Sequence, residues 1–323
     1  MWLLWTVFSL ICFSLCEVYE KKSSDPNEPL SETKLLCWFG AFSLVVATFV
    51  SVTGIRESDS GFFTILTENP VLILPILFYY LALLLAFICM KYTPVSIEAP
   101  ITNTSGILSF VGAILLFSIR GKYAEIAEEV TAVKLLLVVI VCAVTIIFSV
   151  IHRRITECES SQWNNLNLTK DPFNKNNLYY ATAGIVLAAL SAMSDAANSV
   201  VTYYILDDVV NSYDYLYFTN ILSSILGLVA WIYTSLQLKR PYNLFDRSQV
   251  DKAIGASLDC AGMVTYIFAV ADNPFLAEPI ISTYYVFSIW LSHIIFKEKL
   301  NMKQYLCIAV IVVCIFLFAR LDI

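Results

Sequence analysis

Carboxylic acids inside long apolar segments are the residues of this sequence whose type and position could do chemistry. Five of them lie within or at the edges of such segments: Asp195, Glu98, Glu278, Asp259 and Glu17. No lysine or arginine lies deep in any of these segments. An ionised acid in the middle of a bilayer costs at least a few kcal/mol. Each acid must therefore be protonated, face a water-filled cavity or bind a cation, and all three states suit proton-coupled transport of a cationic or zwitterionic solute.

Tyrosines and asparagines accompany these acids. Tyr266 follows Asp259 by seven residues and Tyr285 follows Glu278 by the same interval, so each pair lies on one face of a helix. An aromatic face beside a carboxylate can hold an ammonium group. Tyrosines and asparagines also serve ordinary packing and hydrogen bonding between helices. The predicted cavity-lining residues are Tyr79, Tyr285, Tyr266, Asn103 and Asn198.

The composition requires lipid around the chain. Of its 323 residues, 59% are apolar and 14% are charged, and the mean hydropathy is +0.73. Soluble proteins average about 45–50% apolar and about 25% charged residues, so this chain has too few polar residues to cover a soluble surface. The net charge of -6 offers no basic surface for nucleic acid.

Motifs of nucleotide-driven and hydrolytic chemistry are missing from the sequence. It contains no G-x-x-x-x-G-K-[ST], no H-E-x-x-H, no G-x-S-x-G and no Cys/His metal cluster. We therefore expect no enzyme, no ATP-driven pump, no cofactor and no metal. The expected partners are a small-molecule substrate and the lipid bilayer, with the proton as candidate coupling ion, and the protein is expected to be a monomer or a homodimer.

Ten apolar segments have about the length needed to cross a bilayer, which is about 20 residues of helix. They are residues 2–19, 35–55, 70–90, 94–119, 132–151, 178–205, 214–238, 253–272, 274–296 and 304–320. Most connections between them are short, which makes neighbouring helices antiparallel. The sequence therefore predicts an all-α integral membrane protein with ten transmembrane helices.

The loop charges predict the orientation of these helices. Fifteen of the 20 lysines and arginines lie on one side of the predicted membrane and five on the other. Cytoplasmic loops are enriched in both residue types, so the first side is predicted to be cytoplasmic. Both termini then lie on the non-cytoplasmic side, and the expected location is the plasma (inner) membrane.

A weak internal repeat divides the chain. The pattern Pro-x-x-x-Glu occurs at 94–98 and again at 274–278, and Glu17 and Asp195 are separated by 178 residues. Five spans per repeat is an odd number, so the second repeat enters the membrane from the opposite side, as in many secondary transporters. The predicted organisation is two inverted five-helix repeats, at 1–152 and 178–323, joined by a polar cytoplasmic linker at 153–177.

The sequence also resembles a known family. Ten helices in two sets of five, KYTPVSIEAPITNTSGILSF in the fourth span and EPIISTYYVFSIWLSHIIFKEKLNMKQYLCIAVIVVCIFLF at the end resemble the EamA-like branch of the drug/metabolite transporter superfamily. In that branch the ninth helix runs into a Glu-containing loop, matched here by Glu298, and then into a glycine-rich tenth helix, whose glycines this chain lacks. The resemblance implies a central cavity between the halves and alternating access, for solutes from amino acids and nucleobases to organic cations.

Three functions stay open at this point. The favoured one is a secondary active transporter of an organic cation, amine or zwitterion that is coupled to protons. The second is an exporter of neutral metabolites or amino acids, and the third is a membrane scaffold or receptor-like protein that transports nothing. A phosphate-bearing solute is disfavoured because no deep lysine or arginine is present to bind it.

Overall fold

The computed structural model describes residues 1–23, 28, 30–56, 61–92, 101–102, 104–164, 178–244, 246–296 and 300–321. Within these ranges every regular element is helical. The helices are α1 (Trp2–Ser23), α2 (Ser31–Val52), α3 (Phe62–Glu68), α4 (Ile73–Tyr92), α5 (Ser105–Ile119), α6 (Tyr123–Glu129), α7 (Ala132–Asn164), α8 (Leu178–Asp208), α9 (Ser212–Gln237), α10 (Val250–Asp272), α11 (Ala277–Ile281), α12 (Tyr284–Phe296) and α13 (Met302–Leu321).

Seven of the described helices are long and apolar enough to cross a membrane. They are α1, α2, α7, α8, α9, α10 and α13, with mean hydropathies of 1.4 to 2.9 over their spanning segments. The all-α class and the multi-pass membrane protein are therefore confirmed. Ten crossings in two inverted repeats stay a prediction. Of the other three predicted spans, one is preceded by a sharp bend, one is broken in the middle and one is described only in part.

The span predicted at 70–90 is preceded by a sharp bend. α3 meets the segment Pro70–Ala86 at an angle of 108°, and a 3₁₀ turn at Pro70–Leu72 leads into α4. Proline has no N–H to continue a preceding helix and is tolerated at the first position of a new one. α3 therefore runs nearly across the direction of α4.

The span predicted at 274–296 is broken in the middle. α11 ends just before Ser282 and α12 begins just after Thr283. The hydroxyls of these two residues donate hydrogen bonds to the carbonyl oxygens of Pro279 and Ile280, at 3.0 and 2.7 Å. Such side-chain donors compete with the regular backbone pattern and interrupt or bend a helix.

Two further predicted segments reach outside the described residues. Of the span predicted at 94–119, the structure describes α5, which has 15 residues, whereas 93–100 are not among the described residues. The linker predicted at 153–177 begins inside a helix, because α7 continues without interruption to Asn164.

The helices pack in pairs that join the first half of the sequence to the second. α1 packs against α10, α2 against α9, α4 against α8 and α7 against α13. Ser9 of α1 donates a hydrogen bond to the carbonyl oxygen of Gly262 in α10 at 3.0 Å, and Ser191 of α8 donates one to that of Ala82 in α4 at 2.9 Å. The two halves therefore interdigitate, and both contribute residues to each cluster of buried apolar side chains.

α2 and α9 approach each other closely at two glycines. A Cβ atom added to Gly40 would lie 2.5 Å from the Cα of Gly227, and one added to Gly227 would lie 2.4 Å from the Cα of Gly40. Small residues at such crossings let two helix backbones touch inside a membrane, where the hydrophobic effect does not hold helices together. This crossing depends on both glycines.

Ion pairs mark the two ends of the bundle. At the end where α2 and α10 begin, called the Glu28 end, Lys34 and Lys252 bind Glu28 at 2.6 and 2.5 Å. At the opposite end, called the Arg56 end, Nε of Arg56 donates to Oδ1 of Asp214 at 2.9 Å. The Glu28–Lys252 and Arg56–Asp214 contacts each connect the first half of the chain to the second.

Apolar side chains fill the bundle toward the Arg56 end. The largest group of buried apolar residues includes Phe117, Ile205 and Val270, which lie near the Arg56 ends of α5, α8 and α10. The ring of Phe117 meets that of Phe275 with centroids 4.8 Å apart. Around Phe117 and Phe275 this end of the bundle is tightly packed with apolar side chains.

Candidate solute-binding site

A cavity of about 210 Å³ lies between α1, α4, α5, α8, α10, α11 and α12. A water molecule needs about 10–15 Å³ of such space, so the cavity has room for on the order of ten waters or for a small organic solute. Its walls come from the parts of α1 and α5 nearer the Glu28 end and from the middle of α4, α8 and α10. The broken region of α11 and α12 supplies the remaining wall.

Five carboxylates line this cavity. They are Glu17, Glu20, Asp195, Asp259 and Glu278. Among the described residues that line it there is no lysine, arginine or histidine. Acids in a membrane interior without basic partners are expensive and mark functional pathways. The cavity therefore favours cations over anions.

Three of the acids form a group on α1 and α10, here called the α1–α10 group: Glu17, Glu20 and Asp259. Glu17 and Glu20 are three residues apart on one helical face, and Glu20 lies within electrostatic range of both other acids. The hydroxyl of Tyr79 donates to Oδ2 of Asp259 at 2.9 Å, and the thiol of Cys16 donates to Oε1 of Glu20 at 3.4 Å.

The other two acids, Asp195 and Glu278, form the α8–α11 group. Their charges act on each other. Glu278 is only 5% exposed, and its Oε2 atom is buried without a hydrogen-bond partner among the described residues. Beside them the hydroxyl of Tyr266 donates to that of Ser199 at 3.1 Å. A buried carboxylate oxygen without a donor is unusual in a folded protein and calls for a ligand or a proton.

Most of the residues predicted from the sequence meet at this cavity. Eight line it: Glu17, Tyr79, Asp195, Asn198, Asp259, Tyr266, Glu278 and Tyr285. The other two, Glu98 and Asn103, lie outside the described residues. The prediction that these side chains bind solute or protons is untested by their position alone.

Glu20 is an acid of the cavity that the sequence-based prediction did not include. The first span was predicted to end at residue 19, which would have placed Glu20 in a solvated loop. Instead α1 continues to Ser23, which keeps Glu20 on the helix and turns it to the same side as Glu17. The three-residue spacing of these two acids was the signal that could have identified it.

A second, smaller cavity adjoins the first. It measures about 40 Å³ and shares with it the side chains of Asn198, Tyr79, Asp259, Met263 and Tyr266. It has room for about three waters and adjoins the α1–α10 group, because Tyr79 and Asp259 line both cavities. Among the described residues, no group of three or more His, Cys, Asp or Glu is arranged to hold a metal ion.

The hydrogen bond from Tyr79 to Asp259 provides a first prediction. Tyr79→Phe should lower the free energy of unfolding in detergent by about 1 kcal/mol, because a buried acceptor loses its donor. Tyr80→Phe is the matched control, since that hydroxyl makes only a long 3.4 Å contact with the Ser223 carbonyl oxygen. Equal losses of stability in the two variants would contradict a specific role for the Tyr79 hydroxyl.

Comparison with known proteins bears on the fold and on the family. A search of curated proteins finds no match. The chain superposes on a solved crystal structure with a TM-score of 0.67 and 13% sequence identity, over 99% of this chain and 98% of that one, a likeness that concerns the fold alone. The EamA-like transporter family matches residues 182–320. The resemblance found in the sequence is thereby confirmed for the second half of the chain, which is similar to a family of transporters rather than of enzymes.

Proposed function

We propose that this protein is a secondary active transporter that moves a small organic cation through alternating access and couples that movement to protons. The observation that carries the proposal is the central cavity, which holds five carboxylates and no basic side chain among the described residues lining it. A site built for a neutral solute would not need this concentration of acids, and a scaffold would not need a polar cavity at all.

The coupling follows from the chemistry of a carboxylate in an apolar setting. Such a group is stable when it holds a proton or a cation, and it is unstable when it holds neither. Protons and solute therefore compete for the same oxygens, so that binding one releases the other. The tyrosines at the cavity, Tyr79, Tyr266 and Tyr285, supply hydroxyls and aromatic faces that suit an ammonium group.

The helix packing supports the proposed inverted repeats. In the proposed repeats α1, α2, α4 and α7 correspond, in this order, to α8, α9, α10 and α13. Exchanging the two repeats then turns the α1–α10 contact into the α8–α4 contact, and both are present. The same exchange leaves the α2–α9 and α7–α13 contacts unchanged. The serine hydrogen bonds obey the same relation. Ser9 and Ser191 are the donors, 182 positions apart, and Gly262 and Ala82 are the acceptors, 180 positions apart.

This register changes one detail of the repeat that was read from the sequence. Glu17 and Asp195 are 178 residues apart, four fewer than Ser9 and Ser191 on the same pair of helices. Four residues are about one helical turn. Under the register of the hydrogen bonds, the counterpart of Glu17 is Ser199, and the counterpart of Asp195 is Phe13. The two acids then belong to one site without being symmetry equivalents.

The position of the cavity suggests which state of the transport cycle this structure represents. We infer from the loop charges that the Glu28 end is cytoplasmic and that both termini face the other side. We place the protein in a plasma membrane, with residues 1–152 and 178–323 as its two repeats. The apolar layer around Phe117 and Phe275 then separates the cavity from the outside. The structure then corresponds to the inward-facing conformation of the transport cycle.

The test is gradient-driven transport in proteoliposomes. Tetramethylammonium is a suitable probe because it keeps its charge at every pH and does not cross the membrane as a neutral base. We expect an imposed pH gradient to drive its movement, and we expect Asp195→Asn with Glu278→Gln to reduce that movement at least ten-fold. Asp251→Asn is the control, since this acid pairs with Lys22 at the exposed edge of the bundle.

Two results would overturn the proposal. Gradient-driven movement that is unchanged in the double variant would show that these acids do not couple the flows. Thermal stabilisation of the protein by amino acids, with none by tetramethylammonium, would instead favour an exporter of neutral or zwitterionic metabolites.

A further inference from the structure

We propose that the solute is a short linear dication, with one ammonium group bound by the α1–α10 group and the other by the α8–α11 group. This inference rests on the proposed function, because it specifies the charge and shape of the cation that the same cavity takes. It goes beyond that function in predicting that a single positive charge is not enough for tight binding.

The two acidic groups lie at different levels of one cavity. On α10, Asp259 belongs to the first group, and Tyr266, which contacts Ser199, lies beside the second. These two residues are seven positions apart, a rise of about 10 Å along the helix. A single ammonium group cannot bind carboxylates at both levels, whereas a chain of a few methylene groups with an ammonium at each end can.

Apolar side chains line the space between the two levels. Met263 lies one turn after Asp259 on the same face of α10, and Phe13 and Ile281 line the cavity from α1 and α11. Phe13 packs closely over Gly262, since a Cβ added to that glycine would lie 2.7 Å from the phenylalanine ring. Methylene groups of a ligand would be buried against these side chains, which favours an aliphatic spacer.

The oxygen Oε2 of Glu278 provides an independent indication of a ligand. The residue is 95% buried and lines the cavity, and this oxygen has no hydrogen-bond partner among the described residues. An ammonium group placed there would donate the missing hydrogen bond. The α1–α10 group differs, because Asp259 already accepts a hydrogen bond from Tyr79, so only part of its binding capacity is left for a ligand.

The charges of the cavity favour two positive charges over one. A monocation at either level leaves the other acidic group without a counter-charge, so that group must take up a proton. A dication supplies one positive charge to each group at once, and the remaining carboxylates hold protons. A second charge-assisted hydrogen bond should raise the affinity by about ten-fold or more.

The experiment compares two amines of equal carbon chain length, putrescine and butylamine, by titration calorimetry on the purified full-length protein at pH 8. We expect putrescine to bind at least ten-fold more tightly. In Asp259→Asn and in Glu278→Gln, each measured separately, we expect putrescine to lose this advantage and to bind about as weakly as butylamine does. Asp251→Asn serves as the control and should keep the wild-type preference.

The possible outcomes separate this inference from the function on which it rests. Equal affinity for the two amines in the wild type, together with transport of tetramethylammonium, would overturn the dication and leave the proposed function standing. If neither amine binds and tetramethylammonium is not transported, the dication and the proposed function are both overturned. A putrescine preference that survives in one of the two acid variants would also contradict a ligand that bridges the two groups. Unfolding curves of each variant identify any loss of binding that comes from misfolding.

Discussion

Gly40→Ala is expected to lower the free energy of unfolding by about 2–3 kcal/mol, the upper part of the range for overpacking a tight contact. The new Cβ would lie 2.5 Å from the Cα of Gly227, and a backbone atom cannot rotate away as a side chain can. α2 and α9 would have to separate, which removes packing contacts along the whole crossing. Inside a membrane these contacts are a main source of helix association. The measurement is thermal unfolding in detergent, together with the fraction of monodisperse protein after size-exclusion chromatography.

Gly227→Ala should behave like Gly40→Ala, because the contact is reciprocal. Gly61→Ala is the matched control, since a Cβ at Gly61 would meet no atom within 4 Å and its backbone angles are open to any residue. Stability of Gly40→Ala equal to that of Gly61→Ala would mean that the α2–α9 approach is not as close as described.

Glu28→Gln is expected to lower the free energy of unfolding by about 2 kcal/mol at neutral pH. The change removes the negative charge between Lys34 and Lys252, whose side chains are only 9% and 3% exposed. Removing one partner of a fully buried ion pair costs about 3–5 kcal/mol, but Glu28 is 18% exposed, and water screens part of the interaction. Gln249 also donates to Oε1 of Glu28 at 3.1 Å, so the glutamine variant must rearrange this bond too.

The effect of Glu28→Gln should depend on pH. Partial burial alone would raise the pKa of Glu28, but hydrogen bonds from Lys252, Lys34 and Gln249 outweigh it and lower the pKa from an ordinary 4.5 to about 2. A carboxyl group whose pKa is lower in the folded state contributes its full stability above the unfolded value and loses it as pH falls. The stability difference between wild type and Glu28→Gln should therefore be complete above about pH 4.5 and should shrink toward pH 2.

Asp251→Asn is the matched control for Glu28→Gln. It removes an ion pair at the same end of the bundle, but the side chains of Lys22 and Asp251 are 47% and 32% exposed. Its unfolding temperature should stay close to that of the wild type, because exposed pairs contribute little. A pH-independent difference between wild type and Glu28→Gln would contradict the assignment of this network.

The Glu28 network also bears on the transport cycle. Glu28 precedes α2 in the first half of the chain, and Lys252 lies at the start of α10 in the second. If the cavity opens alternately to the two sides of the membrane as proposed, contacts such as this one between helices at the Glu28 end are expected to break and re-form. Variants that weaken it should then alter transport rates even though they lie outside the cavity.

The sequence alone was sufficient to place this protein in a membrane and to identify most of the acids that line its central cavity. The apolar composition and the length of the apolar segments require a membrane. Unpaired charges are costly inside lipid, so few of them occur in its spanning segments. For the same reason, acids that remain inside apolar segments are informative, and Glu17, Asp195, Asp259 and Glu278 all line one cavity. The family resemblance could likewise be identified in the C-terminal segment, where the match to residues 182–320 lies.

Only the tertiary structure decided how these acids are grouped and where the helices break. Glu20 joins the site because α1 extends to Ser23, and helix ends depend on packing that a hydropathy pattern does not record. The interruption after α11 arises from hydroxyls that bond to nearby carbonyls, in a stretch whose apolar pattern is continuous. The separation of the acids into two groups depends on contacts between helices far apart in the chain, such as Tyr79 with Asp259, because periodicity gives the face of a helix but not the helix that it meets.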